Sequence, residues 1–176
     1  SVSLGIVAPL GNSWQLGLVA DYSSRAPVSE ELYSNGPHLV TNAFELGDPN
    51  LDNERAANLA ATLRFDGELW DAAITTYITS FSDFIFEQAT GDEEDGLPVF
   101  QFRQNDARFI GVDLETNVQI AQWDTGTLKI RAMADMVSAK LDVNGNDNVP
   151  RIPPLRYGLG VELNSGIVTA SLNFLH

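Results

Sequence analysis

The stretch FIGVDLETNVQI, residues 109–120, decides the fold, because its apolar and polar residues alternate one by one. Its apolar members are Ile110, Val112, Leu114, Val118 and Ile120. The residues between them include Asp113, Glu115 and Asn117. Alternation with a period of two is typical of a β-strand that has one apolar and one polar face. The stretch therefore predicts a strand between two different environments.

Seven further stretches alternate in the same way, and no segment carries a convincing helical stripe. We predict eight strands near residues 1–9, 13–23, 56–66, 68–88, 106–122, 126–143, 155–164 and 166–176. Consecutive strands joined by tight turns pair antiparallel. The sequence thus predicts an all-β, up-and-down antiparallel sheet.

The connections between these strands alternate between short and long. The short ones, at residues 10–12, 66–67, 124–126 and 165–166, contain the Gly or Asn that tight turns favour. The long ones lie near residues 24–55, 89–105 and 144–154. Short turns at one end and long loops at the other are typical of outer-membrane barrels, whose strands need about 9–11 residues to span the bilayer. We therefore expect a segment of a transmembrane β-barrel of about eight strands.

Tryptophan positions give a second indication of a barrel. Trp14, Trp70 and Trp123 each lie within a few residues of a short turn, where an interfacial aromatic girdle is expected. Trp123 fits less well, because in the phase of its own strand it belongs to the polar set. The alternative is a soluble β-sandwich or small barrel that acts as a binding or adhesion module with acidic loops.

Composition excludes several classes of function. The chain has 24 Asp and Glu against 10 Lys and Arg, a net charge of −14, which repels nucleic acid. It has no cysteine, so disulfide scaffolds, cysteine zinc sites and thiol nucleophiles are excluded. No motif places a nucleophile beside a histidine, and we expect no catalytic residues.

The first long loop carries a resemblance to a known family. Its segments are RAP at 25–27, EELYSNGPH at 30–38 and FELGDPNL at 44–51, followed by Glu54 and Asn58 at the next strand. These segments closely resemble the β-barrel part of TonB-dependent outer-membrane receptors. Within that family they look most like the branch that includes receptors for zinc and other small metal complexes.

The resemblance implies a 22-stranded barrel in the outer membrane of a Gram-negative cell, closed by a separate plug domain. It also implies outer-membrane lipid, a TonB-type energy transducer and a small metal-bearing ligand as partners. Residues 1–176 then form a partial barrel domain without the plug and the remaining strands. The function implied is uptake of a scarce nutrient, a metal ion or metal complex, without enzymatic activity.

The first long loop also supplies the candidate ligand-binding residues, Tyr33, His38, Glu45 and Asp48. Between Arg25 and Arg55 lie six carboxylates and no Lys or Arg, which favours a cationic ligand. Zinc accepts imidazole and carboxylate ligands, so His38 and Glu30 are candidate ligands for zinc or another divalent cation. The alternatives are solvated loop carboxylates, a His38 that structures the loop and a Tyr33 that packs against it.

Charged residues also alternate onto the polar face of the strands. In a barrel this face lines the lumen, where opposite charges on adjacent strands pair with one another or contact the plug. The set comprises Arg64, Asp71, Asp113, Glu115, Lys129, Arg131, Asp135, Arg156 and Glu162.

Overall fold

A computed structural model describes residues 1–143, 147–152 and 155–176. In chain order, the elements are β1 (Val2–Leu10), β2 (Trp14–Arg25), α1 (Ser29–Tyr33), β3 (Asn35–His38), β4 (Ala43–Leu46), β5 (Glu54–Asp66), β6 (Trp70–Glu94), β7 (Leu97–Trp123), β8 (Gly126–Leu141), β9 (Leu155–Ser165) and β10 (Val168–Leu175). In the described part of the chain no helix is long and apolar enough to cross a membrane.

The eight predicted strands are confirmed as β1, β2 and β5 to β10, which pair antiparallel in chain order. Their four short connections lie together at one end of the sheet, called here the short-turn end, and the long connections lie at the loop end. In the described residues β1 pairs only with β2, and β10 only with β9. The sheet is therefore open, with an unpaired edge at each side.

Strand register gives the sheet two chemically opposite faces. Leu16 lies opposite Leu63, which lies opposite Ile74, and the row continues through Leu114 and Ala134. The face on this side, the apolar face, also carries Ile110, Val112 and Val118. The other side, the polar face, carries the predicted charged set, including Asp113 opposite Asp135. The two faces predicted from residues 109–120 are confirmed.

A β-bulge resolves the position of Trp123. The pairing of β7 with β8 shifts between Gln119 and Ala121, so Ile120 has no register partner on β8. After this shift Trp123 lies opposite Gly126, in phase with Leu128 on the apolar face. The expectation that Trp123 follows the polar set was wrong, because one extra residue reverses the side to which a strand residue points.

The other two tryptophans lie on the apolar face at the short-turn end. The ring centroids of Trp14 and Phe65 are 4.9 Å apart, and those of Phe65 and Trp70 are 4.2 Å apart. The predicted row of aromatic residues beside the short turns is therefore present.

The segment expected to be a loop at residues 89–105 is instead a β-hairpin. Strands β6 and β7 have 25 and 27 residues and extend far beyond their neighbours. Asp95 and Gly96 both have positive φ, 53° and 76°, which suits a two-residue turn of the primed type. The Asp-Gly pair at 95–96 favours this hairpin, whereas the run of four acidic residues at 92–95 favours the loop that was expected.

The first long loop contains two short strands and a helical turn, which the sequence did not predict. Strand β4 pairs in parallel with β7, with Phe44 opposite Val99 and Leu46 opposite Gln101. Antiparallel pairing was expected throughout; among the described residues it holds for the eight long strands, the β3–β4 pair and the Lys140–Asn148 bridge, and β4 with β7 is the exception. β4 is the exception because the loop crosses the hairpin of β6 and β7 and pairs with the edge of β7 that does not pair with β6.

The polarity of the faces reverses toward the loop end. Phe81, Phe84 and Phe86 lie opposite Ala107, Asn105 and Arg103, which places them on the side of the polar face. The ring centroids of Phe84 and Phe109 are 5.4 Å apart, and Ala107, Ala139, Leu141 and Val149 form a small buried core beside them. On the opposite side of this part of the sheet, the apolar face carries Ser80, Arg108 and Lys140.

The third long connection was expected at residues 144–154. Residues 144–146 and 153–154 lie outside the described residues. In the described part, Asn148 forms an antiparallel bridge with Lys140, and the Val149 N–H donates to the Ala139 carbonyl at 3.1 Å. This short extension places Val149 beside Ala139 on the aromatic side of the sheet.

Candidate functional site

A polar clamp fixes the base of the first long loop. The Arg25 guanidinium donates to both Glu54 carboxylate oxygens, at 3.0 and 3.1 Å, and to Glu31 at 2.9 Å. Glu54 is 8% exposed and also accepts a hydrogen bond from the Ile85 N–H at 3.0 Å. The hydrogen bond to Glu31 and the two contacts with Glu54 raise the pKa of Arg25 above its ordinary value. Arg25 therefore stays charged and ties α1 to β5 and β6.

The loop then reaches across the hairpin. The side chain of Gln104 donates to the Asp52 carbonyl at 2.6 Å and accepts from the Asp52 N–H at 2.7 Å. Gly47 lies so close to the backbone of Leu32 and Tyr33 that a Cβ at this position would be 2.5 Å from it. A glycine is required here because α1 packs against the end of β4.

This arrangement brings His38 and Glu45 together. His38 Nδ1 lies 2.9 Å from Glu45 Oε1 and 3.0 Å from the Thr41 hydroxyl. The Thr41 hydroxyl donates to the same Glu45 oxygen at 2.9 Å. Glu45 is 8% exposed, whereas about half of the His38 side chain is open to solvent. A buried carboxylate thus holds an accessible imidazole.

His38 and Glu45 line a shallow cavity of about 390 Å³ together with Glu30 and Glu87. Glu87, from β6, was not among the sequence candidates, because it reaches β3 and β4 through the parallel pairing of β4 with β7, which the sequence did not predict. Three carboxylates and one imidazole therefore surround one opening. Among the described residues, however, no three His, Cys, Asp or Glu side chains are arranged so that they could hold a metal ion.

The other two candidates lie away from this cavity. The Asp48 carboxylate accepts hydrogen bonds from the backbone and side-chain amides of Asn50, at 2.9 and 3.0 Å, and so closes a local turn. Tyr33 ends α1 and is 70% exposed. The structure therefore joins His38, Glu45 and Glu30 in one place and leaves Tyr33 and Asp48 outside it.

The third connection also reaches this region. Arg151 Nη1 lies 2.5 Å from Glu87 Oε2, and the Arg151 guanidinium lies 5.4 Å from the centre of the Phe100 ring. Arg151 has a positive φ of 61°, a strained conformation for a residue with a side chain. The contact connects the β8–β9 connection to the same hairpin as the first loop.

The polar face pairs part of its charges. Arg156 donates to Asp135 at 2.8 Å, and Asn117 joins Asp71 to Arg131 through hydrogen bonds of 2.8 and 3.0 Å. A cavity of about 450 Å³ on this face is lined by charged residues of both signs: Arg64, Asp113, Glu115, Asp135 and Arg156. The face is thus charged and hydrogen-bonded along the strands, as expected of a surface in water.

Comparison with known proteins identifies the fold. The family model described as TonB dependent receptor-like, beta-barrel matches residues 2–174. Among solved structures, a protein described as the copper transporter OprC matches 98% of this chain with a TM-score of 0.77 and 20% identity. The siderophore receptor PirA from Pseudomonas aeruginosa matches 99% with a TM-score of 0.58 and 17% identity.

A third match is the FrpB iron transporter from Neisseria meningitidis (F3-3 variant), which aligns with 98% of the chain at a TM-score of 0.58 and 12% identity. The chain spans 25% of OprC, 30% of PirA and 25% of FrpB. These likenesses concern the fold, and they favour the barrel over the soluble β-sandwich that the sequence left open.

Proposed function

Since this chain belongs to the TonB-dependent receptor-like β-barrel family, we propose that it forms part of the barrel wall of an outer-membrane uptake receptor. The observation that carries the proposal is the distribution of charge on the apolar face. From the short-turn end to the row of Ile110, the strands of this face carry only apolar side chains with a few Thr, Ser and Gly. Such a band suits the hydrocarbon core of a bilayer.

The polarity reversal supports the same placement. The aromatic cluster of Phe81, Phe84, Phe86 and Phe109 lies on the inner side only beyond the last apolar row of the outer side. A strand that leaves the bilayer no longer needs an apolar outer face, and its inner face can then form a packed core. The loop end is accordingly the extracellular end, and the polar face lines the lumen or contacts the plug domain of the full-length protein.

We further propose that the ligand is a metal ion or a metal complex and that His38 contacts it. Of the three carboxylates around the His38 cavity, Glu87 is paired with Arg151, and the other two, Glu30 and Glu45, favour a cation. When His38 Nδ1 donates its proton to Glu45, the lone pair of Nε2 is left to bind a metal, which is the usual arrangement of a metal-binding histidine. Glu45 then acts as the orienting carboxylate. Further ligands come from the bound complex or from parts of the protein outside this chain.

The names of the structural matches point to the same kind of cargo, since they are described as copper, siderophore and iron proteins. We propose a plug domain and an energy transducer for the full-length protein as part of the same function.

Zinc titration of the full-length protein by calorimetry tests the role of His38. We expect His38→Ala to abolish the site that includes His38. Glu45→Gln should weaken it about 10–100-fold, because it loses the charged orienting group. Asp48→Asn is the matched control, since it removes a carboxylate of the same loop outside the cavity. Equal zinc affinity of the native protein and His38→Ala would contradict the role of His38.

Uptake tests the transport function separately. We expect cells that carry the full-length protein to accumulate the metal, and cells without the energy transducer not to do so. Accumulation that does not depend on the protein would contradict the receptor function itself, whatever His38 does.

A further inference from the structure

Glu87 carries a largely buried charge at the edge of the His38 cavity. Its side chain, from β6, lines this cavity and is 17% exposed. The Glu87 Oε2 atom is closed to solvent and accepts no hydrogen bond from the described residues. A buried carboxylate oxygen without a hydrogen bond is costly unless a cation lies beside it. The charge of Glu87 therefore requires a counter-charge from elsewhere in the protein or from a ligand.

Arg151 supplies this counter-charge in the structure. Its Nη1 atom lies 2.5 Å from Glu87 Oε2, and among the described residues no other basic side chain forms an ion pair with Glu87. The Arg151 guanidinium also lies 5.4 Å from the centre of the Phe100 ring. Phe100 lies opposite Glu45 in the parallel β4–β7 pair. A side chain of the β8–β9 connection thus places a positive charge next to the strands that carry two carboxylates of the His38 cavity.

Two features make the contact between Arg151 and Glu87 easy to exchange. The Arg151 side chain is 55% exposed, and ion pairs that are open to solvent contribute little to stability. The φ angle of Arg151 is 61°, in the left-handed region, which costs energy for a residue with a Cβ atom. Release of Arg151 removes this strain but leaves Glu87 without a counter-charge. The contact can therefore open when another cation takes the place of the guanidinium.

We propose that Glu87 is a further contact of the cation bound at His38, and that Arg151 is a tethered cation that competes for Glu87. A divalent cation carries twice the charge of the guanidinium, and it repels Arg151 when both lie beside the same carboxylate. Binding of the divalent cation then releases Arg151, and the described residues 147–152 lose their ion pair with the β6–β7 hairpin. The inference rests on the proposed function, since it requires a cation at His38.

Zinc titration of the full-length protein by calorimetry tests this competition. Arg151→Gln removes the tethered cation, Arg151→Lys keeps one, Glu87→Gln removes the carboxylate, and the double variant Arg151→Gln with Glu87→Gln removes both. Arg103→Gln is the matched control, because it removes a positive charge from the same hairpin, at a position opposite Phe86. Hydrogen exchange of the Arg151 and Ile152 amides, with and without zinc, reports the release of the connection in the native protein.

We expect Arg151→Gln to raise the zinc affinity about two- to fivefold, the ratio that corresponds to loss of an exposed ion pair. Arg151→Lys should keep the native affinity. Glu87→Gln should weaken zinc binding, and the double variant should bind zinc no more tightly than Glu87→Gln, because Arg151 then has no carboxylate for which to compete. Zinc should speed hydrogen exchange at residues 151 and 152 of the native protein and leave it unchanged in Glu87→Gln.

The possible failures of this inference and of the proposed function differ. If the native protein and His38→Ala bind zinc equally, the His38 site is wrong and the competition falls with it. If binding depends on His38 but Arg151→Gln has the native affinity, only the competition is overturned. An equal gain in Arg103→Gln, or a gain that persists in the double variant, also overturns it, because either result shows a general effect of charge. Hydrogen exchange that does not respond to bound zinc in the native protein contradicts the release of Arg151.

Discussion

Two regions of the same strands obey opposite rules. Between the short turns and Ile110, strand β7 points Val112 and Leu114 to one side and Asp113 and Glu115 to the other. Beyond Ile110 the side that was polar carries Phe109 and Ala107, while the side that was apolar carries Arg108. The backbone and its pairing partner do not change at this point.

The difference shows that alternation reports the environment of each face rather than the strand itself. In the lower region the apolar side chains have no protein partner layer, and Ile110 is 52% exposed in the isolated chain. In the upper region the apolar side chains pack on one another, and Ala107, Ala139 and Leu141 are buried. In the placement that we propose, lipid covers the lower region, whereas the upper region supplies its own core.

The sharpest test of this comparison is a charge placed on each face of the lower region. Val112→Arg should destabilise the protein by about 2–4 kcal/mol, since it moves a cation into the hydrocarbon core. Asp113→Arg should change stability by less than about 1 kcal/mol, because that position faces water. Asp113→Arg also removes the carboxylate that lies opposite Asp135 on β8. Unfolding by urea in lipid vesicles measures both, and equal costs would indicate a sheet covered on both sides.

In the upper region the buried carboxylate of Glu54 should contribute more to the free energy of unfolding than any exposed apolar side chain. Glu54→Gln should cost about 1–3 kcal/mol, because Arg25 and the Ile85 N–H lose a charged acceptor. Hydrogen exchange of residues 26–53 should increase. Glu30→Gln is the control, since it neutralises a nearby carboxylate outside this clamp. Unchanged exchange in Glu54→Gln would show that the loop is held by other contacts.

A smaller effect is expected where Arg151 meets the hairpin. Arg151→Ala removes the ion pair with Glu87 and the contact with Phe100. Because the Arg151 side chain is 55% exposed, solvent weakens both contacts. We expect a loss of about 0.5–1 kcal/mol. A double-mutant cycle with Glu87→Gln measures the coupling between them. A coupling energy of zero would leave the positive φ of Arg151 without a compensating contact.

The smallest effect concerns pH at the loop end. The hydrogen bond from Lys140 holds the pKa of Asp147 below its ordinary value. A lowered carboxylate pKa stabilises the folded state above the pKa of the unfolded chain, and this contribution disappears as the pH falls through the folded pKa. Hydrogen exchange at Val149 should therefore rise in acid, and Asp147→Asn should remove that dependence. A rise that persists in Asp147→Asn would assign it to another group.

The eight long strands could be predicted from the sequence, because each strand lies between two different environments along its length. Residues 109–120 contain all the information needed for their own two faces. The bulge at Ile120 was not predicted, although the phase shift that it causes is visible in the sequence as a Trp123 that falls on the polar set. The side chain of Trp123 changes face for that reason alone.

The candidate site was harder to predict, since its parts meet only through long-range pairing. His38 and Glu45 are close in the chain, and their loop was found from its acidic sequence. Glu87 belongs to the hairpin and reaches the cavity because β4 pairs in parallel with β7. Asp48 was a candidate by charge, yet its carboxylate oxygen closes a turn, and the Asp-Pro pair at 48–49 was a sequence signal for it that was not used.

We propose that the apolar face meets lipid from the short-turn end up to the row of Ile110 and water beyond it. Because the chain has no cysteine, single cysteines introduced along residues 105–118 of the full-length protein can carry nitroxide spin labels. Oxygen, which concentrates in lipid, and a water-soluble nickel complex then measure the surroundings of each label. We expect high oxygen access at positions 110, 112, 114 and 118, high nickel access at 113, 115 and 117, and a loss of oxygen access at 108. High oxygen access that continues unchanged through 108 and 106, or equal access on both faces from 110 to 118, would contradict it.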